Sequence, residues 1–172
     1  VSSGSSVLDV GCGTGRPNTY RLSKKYDVCG IDSSKNMIKL ARENVPNSVE
    51  LRNIDVREAD FEKNTFQSIV MYYVLVNIPR EDHRYILEKL YDWLDHGGYL
   101  LFSTGRGDYK VKITENWLGQ GHTMVWSFFD NKVYLKILDE CGYEVKAGVI
   151  DAPHELEGDK KRKHPFIFAK KP

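Results

Sequence analysis

Val7-Leu8-Asp9-Val10-Gly11-Cys12-Gly13-Thr14-Gly15 is the stretch whose reading decides the fold. A short apolar run ends in three glycines at alternate positions, and Pro17 follows where the first turn of a helix tolerates a residue without an N–H. Strand, loop and helix in that order bring backbone close to a ligand at a place where Cβ atoms would intervene, which implies a nucleotide-like ligand. The dinucleotide pattern G-x-G-x-x-G needs glycine at position 16, and Arg16 stands there. Asp9, two residues before the first glycine, adds a carboxylate at the strand end, suited to a ligand bearing an ammonium group and needless for a pyrophosphate.

Strands and helices alternate outward from this unit. Val28 to Ile31 reads as a second strand ending at Asp32, and Ser33 or Ser34 caps a helix whose Met37, Ile38, Ala41 and Val45 share a face until Pro46 stops it. Val49, Leu51 and Asn53 alternate with charged residues in a third strand, nearer an edge. Ile69 to Val76 is apolar on both faces, as a central parallel strand is when helices cover it. Leu87, Leu90, Tyr91 and Leu94 mark a helix closed by Gly97 and Gly98, before a fifth strand from Tyr99 to Thr104. Tyr134, Ile137, Leu138 and Cys141 mark a last helix capped by Asp130. Tyr143 to Ile150 and Pro165 to Ala169 follow as an antiparallel pair joined by a charged stretch, 155–163, whose basic run 160–163 reads as a solvated hairpin tip. The pattern predicts an α/β fold with an open, mostly parallel sheet and a ligand beyond the carboxyl ends of its strands.

Composition narrows the function classes. The 172 residues carry 41% hydrophobic and 28% charged side chains, ordinary for one globular domain, here spanning 1–172. Lys and Arg number 25 against 24 for Asp and Glu, so no net field attracts nucleic acid or an anionic membrane. The longest apolar run, Ile69 to Val76, is far shorter than the ~18 residues that span a bilayer. Cys12, Cys29 and Cys141 form no C-x-x-C pair, which implies neither a disulfide framework nor a zinc ribbon, and makes a reducing, cytoplasmic compartment the default. His83, His96, His122, His154 and His164 lack the spacing of a helical metal site, so no metal is inferred.

Asp9 followed by Gly11, Gly13 and Gly15 resembles the first motif of the class I S-adenosylmethionine-dependent methyltransferases, an acid followed by G-x-G-x-G. The resemblance implies a Rossmann-like sheet of seven strands ordered 3-2-1-4-5-7-6, the last antiparallel, with helices on both faces, and S-adenosyl-L-methionine as cofactor. It implies that Asp9 and the loop residues Gly11, Cys12, Gly13 and Gly15 hold the cofactor's methionine portion, and that Asp32 binds both ribose hydroxyls. Asp32→Ala should then weaken cofactor binding and barely change folding. Ser33 and Met37 after the second strand join the implied cofactor set, together with Asp55 and Val56 at the adenine and Tyr72 at the fourth strand's mouth. The chain departs from the family at Gln67, where an acid is usual, and at Val76 and Asn77, where two histidines are frequent. A family member normally carries a helix before the first strand, and this chain shows none.

The stretch from Gly105 to Phe129 is 25 residues long, which predicts a lid or substrate wall rather than an ordinary connection. It carries Tyr109, Trp117, Trp126, Phe128 and Phe129, and its W-L-G and W-S-x-F-D pieces resemble small bacterial methyltransferases. An aromatic wall suits a small, partly apolar methyl acceptor, for which Tyr73, Trp117 and Trp126 are the candidate contacts. Tyr72, Asp108 and His122 are the candidate bases. The Asn-Pro-Pro-aromatic motif of amino-methylating nucleic-acid enzymes is absent, with Tyr72-Tyr73-Val74 in its place. A cofactor-binding protein without catalysis, and a nicotinamide-dependent oxidoreductase, remain as alternatives.

Overall fold

The computed structural model describes residues 2–117, 119–153 and 163–172. Its strands are β1 (Ser6–Val10), β2 (Asp27–Asp32), β3 (Glu50–Asn53), β4 (Phe66–Met71), β5 (Leu94–Ser103), β6 (Tyr109–Trp117), β7 (His122–Phe128), β8 (Glu144–Pro153) and β9 (Lys163–Lys170). Between them lie α1 (Asn18–Leu22), α2 (Lys35–Asn44), α3 (His83–Trp93) and α4 (Asn131–Glu140). Seven strands form one sheet in the order β3-β2-β1-β4-β5-β9-β8, and β6 pairs with β7 alone. With the separate hairpin left out of the count, this is the expected order 3-2-1-4-5-7-6. The first five strands pair in parallel, and β9 runs antiparallel to both neighbours.

The central strands are apolar because both of their faces are covered. Leu8 and Val10 in β1 and Ile69 and Met71 in β4 are at most 1% exposed. Against them α3 turns Ile86, Leu87 and Leu90, and α4 turns Tyr134 and Leu138, all fully buried. Each such aliphatic side chain contributes about 1.5–3 kcal/mol on burial. The caps sit where the sequence places them: Ser34 Oγ accepts from Met37 N, and the Asp130 carboxylate accepts from Lys132 N at 2.9 Å.

Gln67 receives a local explanation. Its Oε1 accepts from Ser6 N at 2.7 Å and from Ser6 Oγ at 2.8 Å. Because β1 and β4 are parallel, this stitch joins their amino ends, away from the ligand-binding edge. An amide there ties two strands together and does not argue for lost activity.

The structure corrects three boundaries. The strand expected to reach Val76 stops at Met71, Tyr73 adopts φ +59°, and Leu75–Asn77 forms a 3-10 turn. The chain thus leaves the sheet early and turns its apolar residues across the sheet's end. Helix α3 ends at Trp93, before the glycines expected to close it. Its terminal carbonyls are met instead by Lys171, whose Nζ donates to Tyr91 O at 2.9 Å and Leu94 O at 2.8 Å, a cation at the favourable end of the helix dipole.

Third, the segment expected as a lid or substrate wall is built mostly as the β6–β7 hairpin. Its base is tied down by an Arg80–Asp108 ion pair and by Lys110 to Glu81 at 3.3 Å. One of its faces leaves Val111 and Ile113 62% exposed and Val125 54% exposed. The loop expected over 155–163 lies outside the described residues apart from its last position. Among the described residues, no helix is long and apolar enough to cross a membrane.

Candidate cofactor and acceptor site

A cleft of about 340 Å³ opens beyond the carboxyl ends of β1, β2 and β4, as the alternation of strands and helices requires. Gly11, Asp32, Ser33, Asp55, Val56, Tyr72 and Tyr73 line it, together with Val10, Ile31, Ile54, Arg57, Val74, Asn77 and Ile78.

The three motif glycines share positive φ and differ in what surrounds them. A Cβ at Gly11 would lie 2.2 Å from Val74 Cγ2, and one at Gly15 would lie 2.6 Å from Val45 Cγ1, so these two allow close packing of the cleft wall and of α2. Gly13, at φ +55°, has nothing within 4 Å of such a Cβ and faces open space. The loop hangs from β2 through Gly11 N and Cys12 N, which donate to Ile31 O at 2.8 and 3.0 Å.

Asp32 binds this loop directly. Its Oδ2 accepts from Gly13 N at 2.9 Å and its Oδ1 from Ser34 N at 2.8 Å. The expectation that Asp32→Ala would barely change folding is therefore corrected, because the carboxylate braces the glycine loop. Each oxygen retains a further acceptor direction for a ligand hydroxyl.

Asp9 lies beneath the loop, 2% exposed, and accepts from Thr19 Oγ1 at 2.7 Å. Burial, with a smaller contribution from Asp32, raises its pKa to about 6 against the partial relief that Thr19 provides. Its side-chain hydrogen-bond donor is a neutral hydroxyl and not a cation. That environment fits a cationic ligand portion.

At the other end of the cleft, Arg57 grips Asp55, with Nε 3.0 Å from Oδ1 and NH2 2.8 Å from Oδ2, and holds the carboxyl below the usual range. Arg57 NH1 also reaches Asp82 at 3.2 Å. Asp55 thus has both oxygens engaged by Arg57, while Val56 beside it is 5% exposed.

Other expected residues stand elsewhere. Met37 is 39% exposed on α2 and does not line the cleft. Cys12 packs beneath the loop, where burial pushes its thiol up to about 12. Asp108 is committed to Arg80, and His122 sits opposite Trp117 at the far end of the hairpin, so neither lines the cleft. Trp117 and Trp126 pack edge to face on one another at 5.0 Å, with Trp126 Nε1 donating to Thr114 Oγ1 at 3.0 Å. Tyr72 does line the cleft, but burial and the nearby Asp9 raise its phenol to about 12, which disfavours it as a base.

Arg57 and Asn77 were missed in the sequence. Asn77 Nδ2 donates to Tyr73 O at 2.6 Å, a contact that follows from the 3-10 turn and carries no sequence signature of its own. Arg57 stands two residues after Asp55, a spacing that allows side chains in a tight turn to meet.

A family model described as a methyltransferase domain matches residues 7–98. Phosphoethanolamine N-methyltransferase 3 of Arabidopsis thaliana is 30% identical over 152 residues, covering 82% of this chain and 29% of that protein. A demethylmenaquinone methyltransferase of Listeria welshimeri is 34% identical over 107 residues, covering 58% of this chain and 44% of the relative. The chain thus spans less than half the length of either curated relative. A crystal structure of a methyltransferase from Methanosarcina mazei superposes with a TM-score of 0.82 at 21% identity, over 99% of this chain and 94% of that one, and shows the same fold. With its acid and glycine loop at the end of β1 and its sheet in the family's order, the chain belongs to the class I S-adenosylmethionine-dependent methyltransferase family.

Proposed function

We propose that this protein transfers the methyl group of S-adenosylmethionine to a small, partly apolar acceptor held at the aromatic end of the cleft. The observation that carries the reading is Asp9: a carboxylate 2% exposed whose side-chain partner is a hydroxyl rather than a cation. S-Adenosylmethionine carries both an ammonium and a sulfonium, and its ribose hydroxyls suit Asp32. When bound, it supplies a methyl group already activated by its positive sulfur.

The residues of the chain are left to bind, align and exclude water. Orientation alone can contribute about 7–11 kcal/mol, more than the 10² to 10⁴-fold typical of one general base. Asp9 opposes the positive end of the cofactor, and the open space at Gly13 lets backbone approach it. Tyr72, kept protonated, offers a ring face to a sulfonium by cation–π attraction.

The acceptor end is formed by Tyr73, 36% exposed on the cleft, with the Phe166 ring 6.2 Å away. The β6–β7 hairpin adjoins it, since β7 packs on the turn Leu75–Asn77 and Arg80 N donates to Ser127 Oγ at 2.9 Å. This placement supports the hairpin as a wall on the acceptor side. Of the acceptors named for the two curated relatives, the planar, apolar quinone suits the aromatic end better than phosphoethanolamine. Incubating the protein with labelled cofactor and matched panels of quinols, phenols and amines tests the reading. Methylated quinol or phenol supports it, and methylation of macromolecules alone contradicts it.

A further inference from the structure

We propose that Arg57 is a positioning residue for the base of the cofactor: by holding the Asp55 carboxylate in one orientation, it makes the cleft select a 6-amino purine over its 6-oxo counterpart. The proposal rests on the reading of the cleft as the S-adenosylmethionine site.

The turn after β3 brings the two side chains together. Glu58 N and Ala59 N both donate to Asp55 O, at 3.0 and 2.8 Å, which closes a turn with Arg57 inside it. A carboxylate offers about four acceptor directions, and Arg57 fills three of those on Asp55. Its N and Nε donate to Oδ1 at 2.9 and 3.0 Å, and its NH2 donates to Oδ2 at 2.8 Å. The last direction, on Oδ2, meets no donor among the described residues. Asp55 and Arg57 both line the cleft, beside Ile54 and Val56.

Arg57 is itself held from α3 and the turn before it. Its NH1 donates to Asp82 Oδ2 at 3.2 Å, and Lys89 Nζ donates to Arg57 O at 2.9 Å. A planar guanidinium fork fixes the plane of the carboxylate as well as its place, which a lysine ammonium does not. These pairs contribute little to folding, since the Arg57 side chain is 41% exposed and those of Asp55 and Asp82 are 23% and 39% exposed. What the fork supplies is orientation.

Orientation matters because the two bases place their donors differently. A 6-amino purine presents an N–H donor at position 6 and an acceptor at N1, whereas a 6-oxo purine presents an acceptor at position 6 and a donor at N1. The single open direction of a fixed Asp55 accepts from the amino group, and it meets the oxo group as one acceptor facing another. A carboxylate freed from Arg57 can turn to accept from N1–H instead, and no longer separates the two bases. Arg57 also holds the Asp55 carboxyl below the usual range, so the group stays ionised and has no proton to donate to an oxo group. Fixing the carboxylate before the ligand arrives removes an ordering cost from binding of the matching base alone.

Calorimetric titration of the whole chain with S-adenosylhomocysteine and S-inosylhomocysteine tests this, with a melting temperature taken for each variant. The wild type should bind the adenosyl compound at least about tenfold more tightly, as one charge-assisted hydrogen bond supplies. Arg57→Met should melt close to the wild type and lose most of that ratio. Arg57→Lys keeps the charge without the fork, so it should recover little of the ratio, and it serves equally if the Met variant folds poorly. A merely structural role would weaken both ligands alike. A wild-type ratio in a folded Arg57→Met, or in Arg57→Lys, would therefore overturn the proposal, as would a wild type that binds the two compounds equally. A wild type that binds neither compound would overturn the cofactor reading beneath it.

Discussion

The Asp32 carboxylate receives the Gly13 amide at 2.9 Å while its other oxygen receives the Ser34 amide, so one side chain at the end of β2 fixes both the glycine loop and the entry to α2. Hydrogen bonds to charged groups are worth about 1.5–3 kcal/mol each before water compensates. Asp32→Ala is expected to lower unfolding stability by about 1–3 kcal/mol and cofactor affinity at least about tenfold. Urea denaturation and calorimetric titration of the same preparation measure both. Lost stability with unchanged affinity would assign Asp32 to the loop alone.

Asp9 predicts an opposition between stability and binding. Its pKa is raised from 3.8 to about 6, so the folded state holds the proton more tightly than the unfolded one. The stabilisation this gives is complete below pH 3.8 and is lost as the pH rises through about 6. The rise corresponds to about 3 kcal/mol as an order of magnitude. Asp9→Asn keeps an acceptor for Thr19 and removes the buried charge. Its melting temperature at neutral pH should therefore exceed that of the wild type, and its affinity for S-adenosylmethionine should fall. A variant that is both less stable and equally tight would contradict the charge argument.

The contrast between Asp9 and the β6–β7 hairpin shows what local sequence can convey. The acid and glycines of the loop encode a backbone course within nine residues, so cleft and sheet order follow from the sequence. In the hairpin, Val111 and Ile113 alternate with Lys110, Lys112 and Thr114, a period-two signal that the length of the segment obscured. The end of β4 misled differently. Its apolar run continues past Met71, but Tyr73 turns into a left-handed conformation fixed by Ser103 and Asn77, partners 30 and 4 residues away.

His83 sets an acid limit on stability. It is fully buried, with Nε2 3.0 Å from Ile78 O and Nδ1 2.8 Å from Tyr134 Oη. The carbonyl accepts from Nε2–H, and in the neutral ring Nδ1 accepts from the tyrosine hydroxyl. Burial lowers its pKa below the ordinary 6.5, and the unfolded chain takes the proton first. Stability should therefore be full above pH 6.5 and decline as the pH falls below it, until the folded pKa is passed. His83→Gln should flatten this acid-side slope in pH-dependent denaturation. An unchanged slope would place the acid sensitivity elsewhere.

Trp126 tests the hairpin. Its ring meets Trp117 at 5.0 Å, and such pairs contribute about 0.5–1.5 kcal/mol beyond the area they bury. Trp126→Ala should loosen the hairpin and reduce kcat/KM for the acceptor, leaving cofactor affinity as in the wild type because the residues proposed for the cofactor lie outside the hairpin. Parallel losses in acceptor turnover, cofactor affinity and melting temperature would instead mark Trp126 as part of the core.

Calorimetric titration of the wild-type chain with S-adenosylmethionine, S-adenosylhomocysteine and NAD bears most directly on the cleft lined by Gly11 and Asp32. Asp9 and Asp32 predict saturable binding of the first two and no heat from the third. Binding of NAD with no response to either adenosyl compound would contradict that assignment.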